Sequence, residues 1–255
     1  SGSAVADAAA LTALLLPMMV KAGHDKSRAG GLIAATGVIG PVIPPSIGLV
    51  IFGVAANVSI SKLFLAAIVP GLLIGATLWL TWAWLVRREI IAPPPRKSLA
   101  EVGKAFREAT WALMLPIIIL VGLRMGVFTP TEAAVVAAVY ALSVSLFIYR
   151  ELKLRDLYAV FVASARTSAV VMFLIAAAMV SSWLITVADL PGAVVSLLEP
   201  LLDSPILLMT MIMLLVIAVG TAMDMTPTIL ILTPVLMPVV NAAGIDPVYF
   251  GVMFI

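Results

Sequence analysis

The chain has 255 residues, of which 63% are hydrophobic and only 11% are charged, and its mean hydropathy is +1.21. Soluble domains carry about 25% charged residues, so this composition excludes a soluble globular protein and predicts an all-α polytopic membrane protein. The absence of cysteine excludes disulfides and thiolate metal sites. The net charge is +2, yet every Lys and Arg lies at or before Arg166, and a nucleic-acid partner would find no basic surface to bind.

The first predicted elements are apolar helices whose orientation follows from the basic residues at their ends. Residues 4–20 are apolar and end at a basic cluster, which places that end in the cytoplasm. Residues 30–56 cross outward and are interrupted by the sequence GPVIPPS at residues 40–46, and residues 63–86 return to Arg87-Arg88. The following Pro-rich and then amphipathic segment, residues 87–108, is predicted to lie on the cytoplasmic surface.

Further spans are predicted at residues 109–123, 132–148 and 158–187. After them, two apolar arms flank the polar sequence GTAMDMTPT, residues 220–228, with about 14 residues before it and about 13 after it to Val240. Neither arm reaches the roughly 20 residues that a membrane span needs. We therefore predict a re-entrant hairpin whose tip lies at mid-depth in the bilayer.

An internal repeat relates the two halves of the chain. The identities between residues 14–31 and residues 235–252, which lie 221 positions apart, include Pro17/Pro238, Ala22/Ala243, Gly23/Gly244, Asp25/Asp246 and Gly30/Gly251. Each copy follows a polar break in an apolar sequence, and the two copies enter the membrane from opposite sides. Inverted repeats with such breaks are typical of secondary transporters. We predict a first repeat at 1–92, an amphipathic connector at 93–108 and a second repeat at 109–255.

The first break suggests a cation site. Pro44 and Pro45 lack N–H groups, so the helix must unwind there, and the freed carbonyl oxygens are hard ligands of the kind that hold Na⁺. The hydroxyls of Ser1 and Ser3, on a tip made flexible by Gly2, would complete such a site. The alternative is a simple proline kink, in which the serines only satisfy backbone groups.

The second break contains Asp224, the only ionisable residue between Asp203 and Asp246. An acidic group at bilayer depth indicates function by default, although Asp224 is equally suited to cap the helix that follows. Its neighbours are Pro227, which indicates an open backbone, and hydroxyl residues that either bind a ligand or bond to their own helix: Thr221, Thr226 and Thr228. Asp7 either braces the first tip or caps a helix, and Glu132 is predicted to cap the helix that begins at Pro130.

Four blocks of the sequence carry a family resemblance: SGSAVADAA, GPVIPPSIGLVIFGVAANVSISKLFLAAIVPGLL, GVFTPTEAAVVAAVYAL and GTAMDMTPTILILTPVLMPVVNAAGIDPVYFGV. Together they resemble the large membrane subunit of the tripartite ATP-independent periplasmic (TRAP) transporters. The resemblance implies an elevator-type permease of the bacterial inner membrane that is not an enzyme, needs no cofactor and imports an organic acid with Na⁺. The acid would be a C4-dicarboxylate, sialic acid or a similar carboxylate. The implied partners are a small membrane subunit, a periplasmic substrate-binding protein and the lipid bilayer.

The resemblance also implies roles for individual residues. It maps one Na⁺ site onto Ser1, Ser3, Gly40, Ile43 and Pro45, and a second, partial site onto Gly220, Thr221, Asp224 and Thr226. The remaining tip residues would lie near the substrate: Gly2, Asp7, Pro44, Ser46, Pro227 and Thr228. The arm before Ser1 and the counterpart of GPVIPPS are missing, so we expect an internal fragment that does not transport alone. Two alternatives remain, a standalone divalent-anion/Na⁺ symporter and a non-transporting membrane scaffold with inert breaks.

Overall fold

The computed structural model describes residues 4–87, 98–202 and 204–255, and within these ranges it contains helices and no strand. A π-helical turn, Val144–Ile148, extends the seventh helix, and a short 3₁₀ turn, Leu154–Asp156, precedes the eighth. In chain order the helices are α1 (Ala4–Lys21), α2 (Lys26–Thr36), α3 (Ile39–Val42), α4 (Ile47–Ala55), α5 (Ile60–Val86), α6 (Leu99–Arg124), α7 (Pro130–Ser143), α8 (Leu157–Val187), α9 (Leu190–Leu202), α10 (Pro205–Gly220), α11 (Met225–Ala242) and α12 (Pro247–Phe254).

Six of the helical segments in the described ranges are long and apolar enough to cross a membrane. They are α1, α5, α6, α7 with its π turn, α8 with its 3₁₀ turn, and α11; a seventh is obtained if α2–α3 and α4, separated by a short break, are counted as one span. This finding confirms the predicted all-α polytopic membrane fold. The predicted bounds of α1, α5 and α8 agree with the observed ones to within about three residues.

The start of α6 differs from the prediction. The sequence was interpreted as a surface connector at 93–108 followed by a separate span from Ala109, but α6 is one helix from Leu99 to Arg124. A capping box formed by Ser98 and Glu101 starts it, and Gly103 is the only residue in the first turns that disfavours a helix. With 26 residues, α6 is about 39 Å long and exceeds the roughly 30 Å hydrocarbon core. Its polar first turns are therefore continuous with the span. Residues 93–97 of the predicted connector lie outside the described residues, and its location at the cytoplasmic surface stays a prediction.

The second break is shorter than predicted. The polar stretch 220–228 was expected to be open, yet α10 extends to Gly220 and α11 begins at Met225, so only residues 221–224 connect them. Pro227 lies in the first turn of α11, where a missing N–H has no cost because the first four N–H groups of a helix have no partner. The second arm therefore has 18 residues instead of about 13. Whether the two arms re-enter the membrane stays a prediction.

One helix was missed altogether. No helix was predicted at residues 190–202, but they form α9, which packs against α8, α10 and α11. In the sequence LPGAVVSLLEPLL, the spacing of the apolar residues is the sign of a helix, and the two prolines obscure that spacing.

The chain divides into two compact units, Ser1–Ile47 with Phe64–Val144, and Gly48–Leu63 with Ser145–Ile255. The core of the first unit includes Ile33 and Ile119, both almost fully buried. The core of the second is an aromatic cluster in which the Phe52 ring lies 6.0 Å from Phe250 and 5.9 Å from Phe254, centroid to centroid. The predicted division into repeats and a connector is a different partition and stays a prediction.

The repeat predicted from sequence is present in the local structure. The helices α1 and α11 each have 18 residues, and their first and last residues lie 221 positions apart, as do the first residues of α2 and α12. Both copies turn at a glycine with positive φ, 98° at Gly23 and 68° at Gly244. In both, an aspartate caps the next helix: Asp25 accepts from the Arg28 N–H at 2.9 Å and Asp246 from the Tyr249 N–H at 2.8 Å. The inverted orientation of the copies stays a prediction.

Candidate functional site

The first break lies between α3 and α4. The helix ends at Val42, and Ile43 has an extended backbone with φ of −76° and ψ of 125°. In a continuous helix the carbonyls of Gly40 and Pro41 would accept from the N–H groups of residues 44 and 45. Both of those residues are proline, so neither donor exists. The sequence therefore removes two backbone hydrogen bonds at the break, as predicted.

Only one of these two carbonyls has found a substitute donor. The hydroxyl of Ser46 donates to the carbonyl of Pro41, and the Ser46 side chain is 2% exposed. This bond replaces the donor that Pro45 lacks and closes the loop between α3 and α4. Among the hydrogen bonds of the described residues, none is donated to the Gly40 carbonyl. Of the two carbonyls that lose a donor to the prolines, the Gly40 carbonyl is therefore the one without a substitute among the described residues.

The N-terminal part of α1 packs directly on this break through two glycines. A Cβ atom on Gly37 would lie 2.8 Å from the Ala4 carbonyl oxygen and 3.1 Å from the Ala8 Cβ. A Cβ atom on Gly40 would collide with the carboxylate of Asp7. Glycine at 37 and 40 thus permits the close approach, and it brings the Asp7 carboxylate against the backbone where the helix is broken.

The helix α5 supports the same break. A Cβ atom on Gly71 would lie 2.5 Å from Ile43 Cγ1, and one on Gly75 would lie 4.0 Å from Ile39 Cδ1. Positions increase along α5 as they decrease along α3, so the two helices run antiparallel. Ile43, predicted as a site residue, packs closely on α5, and its extended backbone is the conformation that the following Pro44 favours.

The second break is built differently. Asp224 has the extended backbone of a helix N-cap, with φ of −68° and ψ of 160°, but its side chain makes no capping hydrogen bond. The hydroxyl of Thr221 donates to the Ala218 carbonyl at 2.7 Å, and that of Thr228 donates to the Asp224 carbonyl at 2.8 Å. These two hydroxyls thus bond to nearby backbone carbonyls, which is the alternative to ligand binding that the sequence left open for these threonines. Asp224 is exposed at the tip.

The other residues of the second break occupy the ends of the two arms. Gly220 is the last residue of α10 and is exposed, with no atom near the position of a Cβ. Thr226 and Pro227 lie in the first turn of α11 and are half-buried. Met225 packs on α4, since a Cβ on Gly48 would lie 3.0 Å from its sulfur. This contact fixes the start of α11 within the second unit.

The structure thus brings together, in the first unit, the predicted residues Asp7, Gly40, Ile43 and Ser46. The predictions for Ser1, Gly2 and Ser3 lie outside the described residues. Two contributors were not predicted, Gly37 and Gly71, although Gly71 and Gly75 have the spacing of four at which small residues let membrane helices approach closely. The predicted role of Glu132 is confirmed, because it forms a capping box with Thr129 at the start of α7. No observation yet assigns a ligand to either break.

The sequence was compared with known proteins. All residues from 1 to 255 match the family described as the tripartite ATP-independent periplasmic transporter, DctM component. The chain is 56% identical over 255 residues to the 2,3-diketo-L-gulonate TRAP transporter large permease protein YiaN of Escherichia coli K12. It is 55% identical over 255 residues to a putative TRAP transporter large permease protein of Haemophilus influenzae, and 39% identical over 255 residues to the sialic acid TRAP transporter large permease protein SiaM of Vibrio cholerae.

Each of these alignments covers 100% of this chain and 60% of the relative. The chain therefore spans about three fifths of the length of the curated relatives that it matches. The match confirms the resemblance found in the four sequence blocks and, with the apolar helices, the predicted location in the cell inner membrane. The chain belongs to the DctM component family of the tripartite ATP-independent periplasmic transporters, a family of membrane permeases and not of enzymes.

Proposed function

We propose that the full-length protein is the membrane permease subunit of a Na⁺-coupled importer of organic acids, and that Na⁺ binds at the first helix break. The observation that carries this proposal is the contact between the Asp7 carboxylate and Gly40, whose carbonyl lacks a donor because residue 44 is proline. A carboxylate packed on the residue whose carbonyl has lost its donor brings to one place the hard oxygen atoms that suit an alkali cation. The remaining ligands would be Ile43, Pro45, Ser1 and Ser3.

The packing of α1 supports a role for the two serines. Ala4, the residue next to Ser3, contacts Gly37 one turn before Gly40. A hydroxyl on the residues preceding Ala4 would complete the coordination that the backbone begins. Gly2, Pro44 and Ser46 would then lie near the substrate, with Ser46 acting through its bond to Pro41 rather than as a ligand.

A second Na⁺ site at Gly220, Thr221, Asp224 and Thr226 belongs to the same proposal. The repeat equates Ser3 with Asp224, since these positions are 221 apart. Asp224 occupies an N-cap position without capping the helix, and its carboxylate is therefore the natural ligand at this tip. Pro227 and Thr228 would shape the tip on the substrate side. The positive end of the α11 dipole would favour an anionic substrate there.

The substrate and partners follow from the family. The relatives are named for 2,3-diketo-L-gulonate and sialic acid, both of which are carboxylates, so we propose a carboxylate for this protein also. A periplasmic substrate-binding protein would deliver it, and a small membrane subunit would complete the permease. The hairpin-bearing bundle would carry the substrate across by an elevator movement against scaffold helices.

Uptake by the reconstituted full-length protein tests the proposal. Proteoliposomes containing it with its small membrane subunit, supplied with the binding protein, would be assayed with labelled 2,3-diketo-L-gulonate, sialic acid and a C4-dicarboxylate. We expect uptake of one of these only under a Na⁺ gradient. Undiminished uptake with choline in place of Na⁺ and a proton gradient present would contradict Na⁺ coupling.

Two further arms of the same assay address the alternatives. Uptake that persists without the binding protein would favour a standalone symporter. Uptake left intact after Ser1, Ser3 and Thr226 are all replaced by Ala would show that the breaks are inert. We expect neither result, because the first break leaves the Gly40 carbonyl without its helical donor and Asp224 at the second break makes no capping hydrogen bond.

A further inference from the structure

A very short turn joins two of the candidate membrane spans. The spans are Pro130–Ile148 and Leu154–Val187, so only residues 149–153 connect them. A connector of five residues covers roughly 18 Å even when fully extended, and this one has to return to the bilayer. Its residues therefore lie at the level of the lipid headgroups, whichever way the chain is oriented in the membrane.

The conformation of this turn is fixed by its own hydrogen bonds. The Ser145 carbonyl accepts from the Glu151 N–H at 3.2 Å. Arg150 has a positive φ of 56°, and its Nε–H donates to the Phe147 carbonyl at 3.4 Å. This bond leaves the two Nη groups of Arg150 without a hydrogen-bond partner among the described residues. The turn thus presents a guanidinium whose base is anchored and whose outer nitrogens are available to a ligand.

The turn and the 3₁₀ turn after it carry more positive than negative charge. Three basic side chains are exposed, those of Arg150, Lys153 and Arg155, and the acidic residues are Glu151 and Asp156. The Asp156 carboxylate is already engaged, since it accepts from the Lys153 N–H at 3.3 Å and lies 3.6 Å from the Arg155 Nε. Neither Arg150 nor Lys153 forms an ion pair within the described part of the chain. The positive charge of the turn is therefore not neutralised locally.

A fourth basic residue lies inside the span that follows. Arg166 is exposed and comes nine residues after Leu157, the first residue of α8, which places it roughly 14 Å along the helix. A charged side chain at that depth is costly, and long basic side chains lower the cost by extending to the membrane surface. Because Cα–Cβ bonds in a helix lean toward its N-terminus, the Arg166 side chain can reach back toward the turn. It adds to the positive charge at this end of α8.

Exposed apolar side chains surround these charges. Phe147 is 72% exposed, Leu154 75% and Tyr158 80%. In water such exposure would be unfavourable, but at a bilayer surface these side chains lie at the boundary between headgroups and acyl chains, where tyrosine is enriched. Positive charge combined with exposed apolar side chains favours a ligand that is itself an amphiphile with a negative headgroup.

We propose that the turn between α7 and α8 binds the headgroup of an anionic phospholipid through Arg150, Lys153, Arg155 and Arg166. The phosphate oxygens accept hydrogen bonds from the guanidinium and ammonium groups, and the acyl chains lie along the first turns of α8. The proposal goes beyond the transport function and does not depend on Na⁺ binding, because none of these residues belongs to either break. For each net positive charge at the surface, the preference for an anionic over a neutral lipid is expected to rise roughly fivefold.

Quenching by brominated lipids tests this binding at the turn itself. In full-length protein without other cysteines, assembled with its small membrane subunit, Phe161→Cys carries a fluorophore; Phe161 is 59% exposed and lies four residues after the start of α8. The complex is reconstituted in mixed vesicles of phosphatidylcholine and phosphatidylglycerol, and one lipid or the other has brominated chains that quench the fluorophore on contact. We expect a preference for phosphatidylglycerol of roughly fivefold or more, which decreases with ionic strength.

Substitutions in the turn should change this preference in opposite directions. Arg150→Gln with Lys153→Gln removes two positive charges and should abolish it. Glu151→Gln removes a negative charge and should raise it roughly fivefold. Damage to the turn would not increase the preference, so the second variant separates recognition of charge from loss of structure. A preference that is unchanged by the double substitution would overturn the proposal.

The matched control places the fluorophore at the other end of the same helix. Trp183 is 63% exposed and lies four residues before the end of α8, and no Lys or Arg follows Arg166 in the sequence. Trp183→Cys should therefore show no preference for phosphatidylglycerol. An equal preference at both positions, or none at Phe161→Cys, would overturn the proposal.

Two further arms distinguish other occupants of the same surface. If the preference at Phe161→Cys appeared only in the absence of the small membrane subunit, that subunit and not lipid would cover the turn. If soluble glycerol 3-phosphate abolished the preference at constant ionic strength, the turn would bind a free phosphate compound. Either result would overturn the assignment to a phospholipid, and we expect the preference to persist in both arms.

Discussion

At Gly40 a single missing Cβ atom decides whether a carboxylate can reach the broken backbone. Asp7 lies where that atom would be, and Gly37 one turn earlier gives the same freedom to Ala4 and Ala8. Neither glycine needs a positive φ, since both lie in or beside helical turns. Their role is therefore to let α1 approach the broken helix closely, and this approach sets the position of the Asp7 carboxylate.

A substitution at Gly40 should therefore affect ion binding more than folding. In full-length protein, Gly40→Ala should displace the Asp7 carboxylate and raise the Na⁺ concentration for half-maximal uptake roughly tenfold, which corresponds to about 1.4 kcal/mol. Gly31→Ala is the matched control, because a Cβ there meets nothing within 4 Å. It should leave Na⁺ dependence unchanged and favour the helix by up to about 1 kcal/mol. Equal Na⁺ curves for both variants would remove Asp7 from the site.

For two buried threonines on α11 we predict opposite effects of substitution on the free energy of unfolding. The Thr233 hydroxyl is fully buried and has no hydrogen-bond partner among the described residues, whereas the Thr228 hydroxyl bonds the Asp224 carbonyl. Replacing an unsatisfied buried hydroxyl by a methyl removes a desolvation cost, and Val and Thr have similar helix propensities. Thr233→Val should raise the free energy of unfolding by about 1 kcal/mol, and Thr228→Val should lower it by about 1 kcal/mol.

Thermal unfolding of the detergent-solubilised full-length protein measures both changes. A lower melting temperature for Thr233→Val than for the unmodified protein would show that its hydroxyl has a partner in the complete molecule.

These side-chain environments were not predictable from the sequence. The prolines revealed which carbonyls would be free, but the approach of Asp7 and the bond from Ser46 depend on packing between segments that no local pattern encodes.

At the scale of the element, the broken helix shows how two prolines act on different carbonyls. Pro44 removes the donor for Gly40, and Pro45 removes the donor for Pro41, which Ser46 then supplies. The two positions should therefore not be equivalent. Restoring an N–H at position 44 returns a donor to the carbonyl that has none, whereas restoring one at position 45 competes with a bond that already exists.

Pro44→Ala should accordingly weaken Na⁺ binding. The new N–H can close the i to i−4 bond to Gly40 and withdraw one ligand, so the Na⁺ concentration for half-maximal uptake should rise roughly tenfold per lost ligand. Pro130→Ala is the control, because Pro130 lies in the first turn of α7, where N–H groups have no helical partner, and it belongs to neither break. Uptake at graded Na⁺ concentrations measures both. Unchanged Na⁺ dependence in a well-inserted Pro44→Ala protein would make the break a structural kink.

The long helices could be predicted from apolar length and flanking charge, and α1, α5 and α8 agree in their bounds. The errors have a common cause, which is that polar residues and prolines were interpreted as breaks. Helix α6 continues through its charged first turns because a capping box starts it. Helix α11 absorbs Pro227 because the first turn tolerates proline. Helix α9 contains Pro191 and Pro200 and is nevertheless helical, packed on α11.

At the scale of the whole molecule, the repeat and the charge distribution carry most of the information in the sequence. The spacing of 221 that the sequence identities suggested also relates the ends of α1 and α11, the positive-φ glycines and the aspartate caps. Lipid-facing sequence is nearly featureless, so these local markers are what identify the repeat. Orientation in the bilayer, in contrast, rests on the basic residues alone.

The orientation can be tested on a single helix of the full-length protein. Lys104 lies near the N-terminal end of α6 with 77% of its side chain exposed, and Val127, 61% exposed, lies just after its C-terminal end. Single-cysteine variants Lys104→Cys and Val127→Cys, in a background without other cysteines, would be treated as spheroplasts with a membrane-impermeant maleimide. The positive-inside rule predicts that Val127→Cys reacts and Lys104→Cys does not, and that both react after permeabilisation. If only Lys104→Cys were labelled in intact spheroplasts, the predicted orientation of α6 would be reversed. The side of the membrane from which the first tip enters would then be reversed as well.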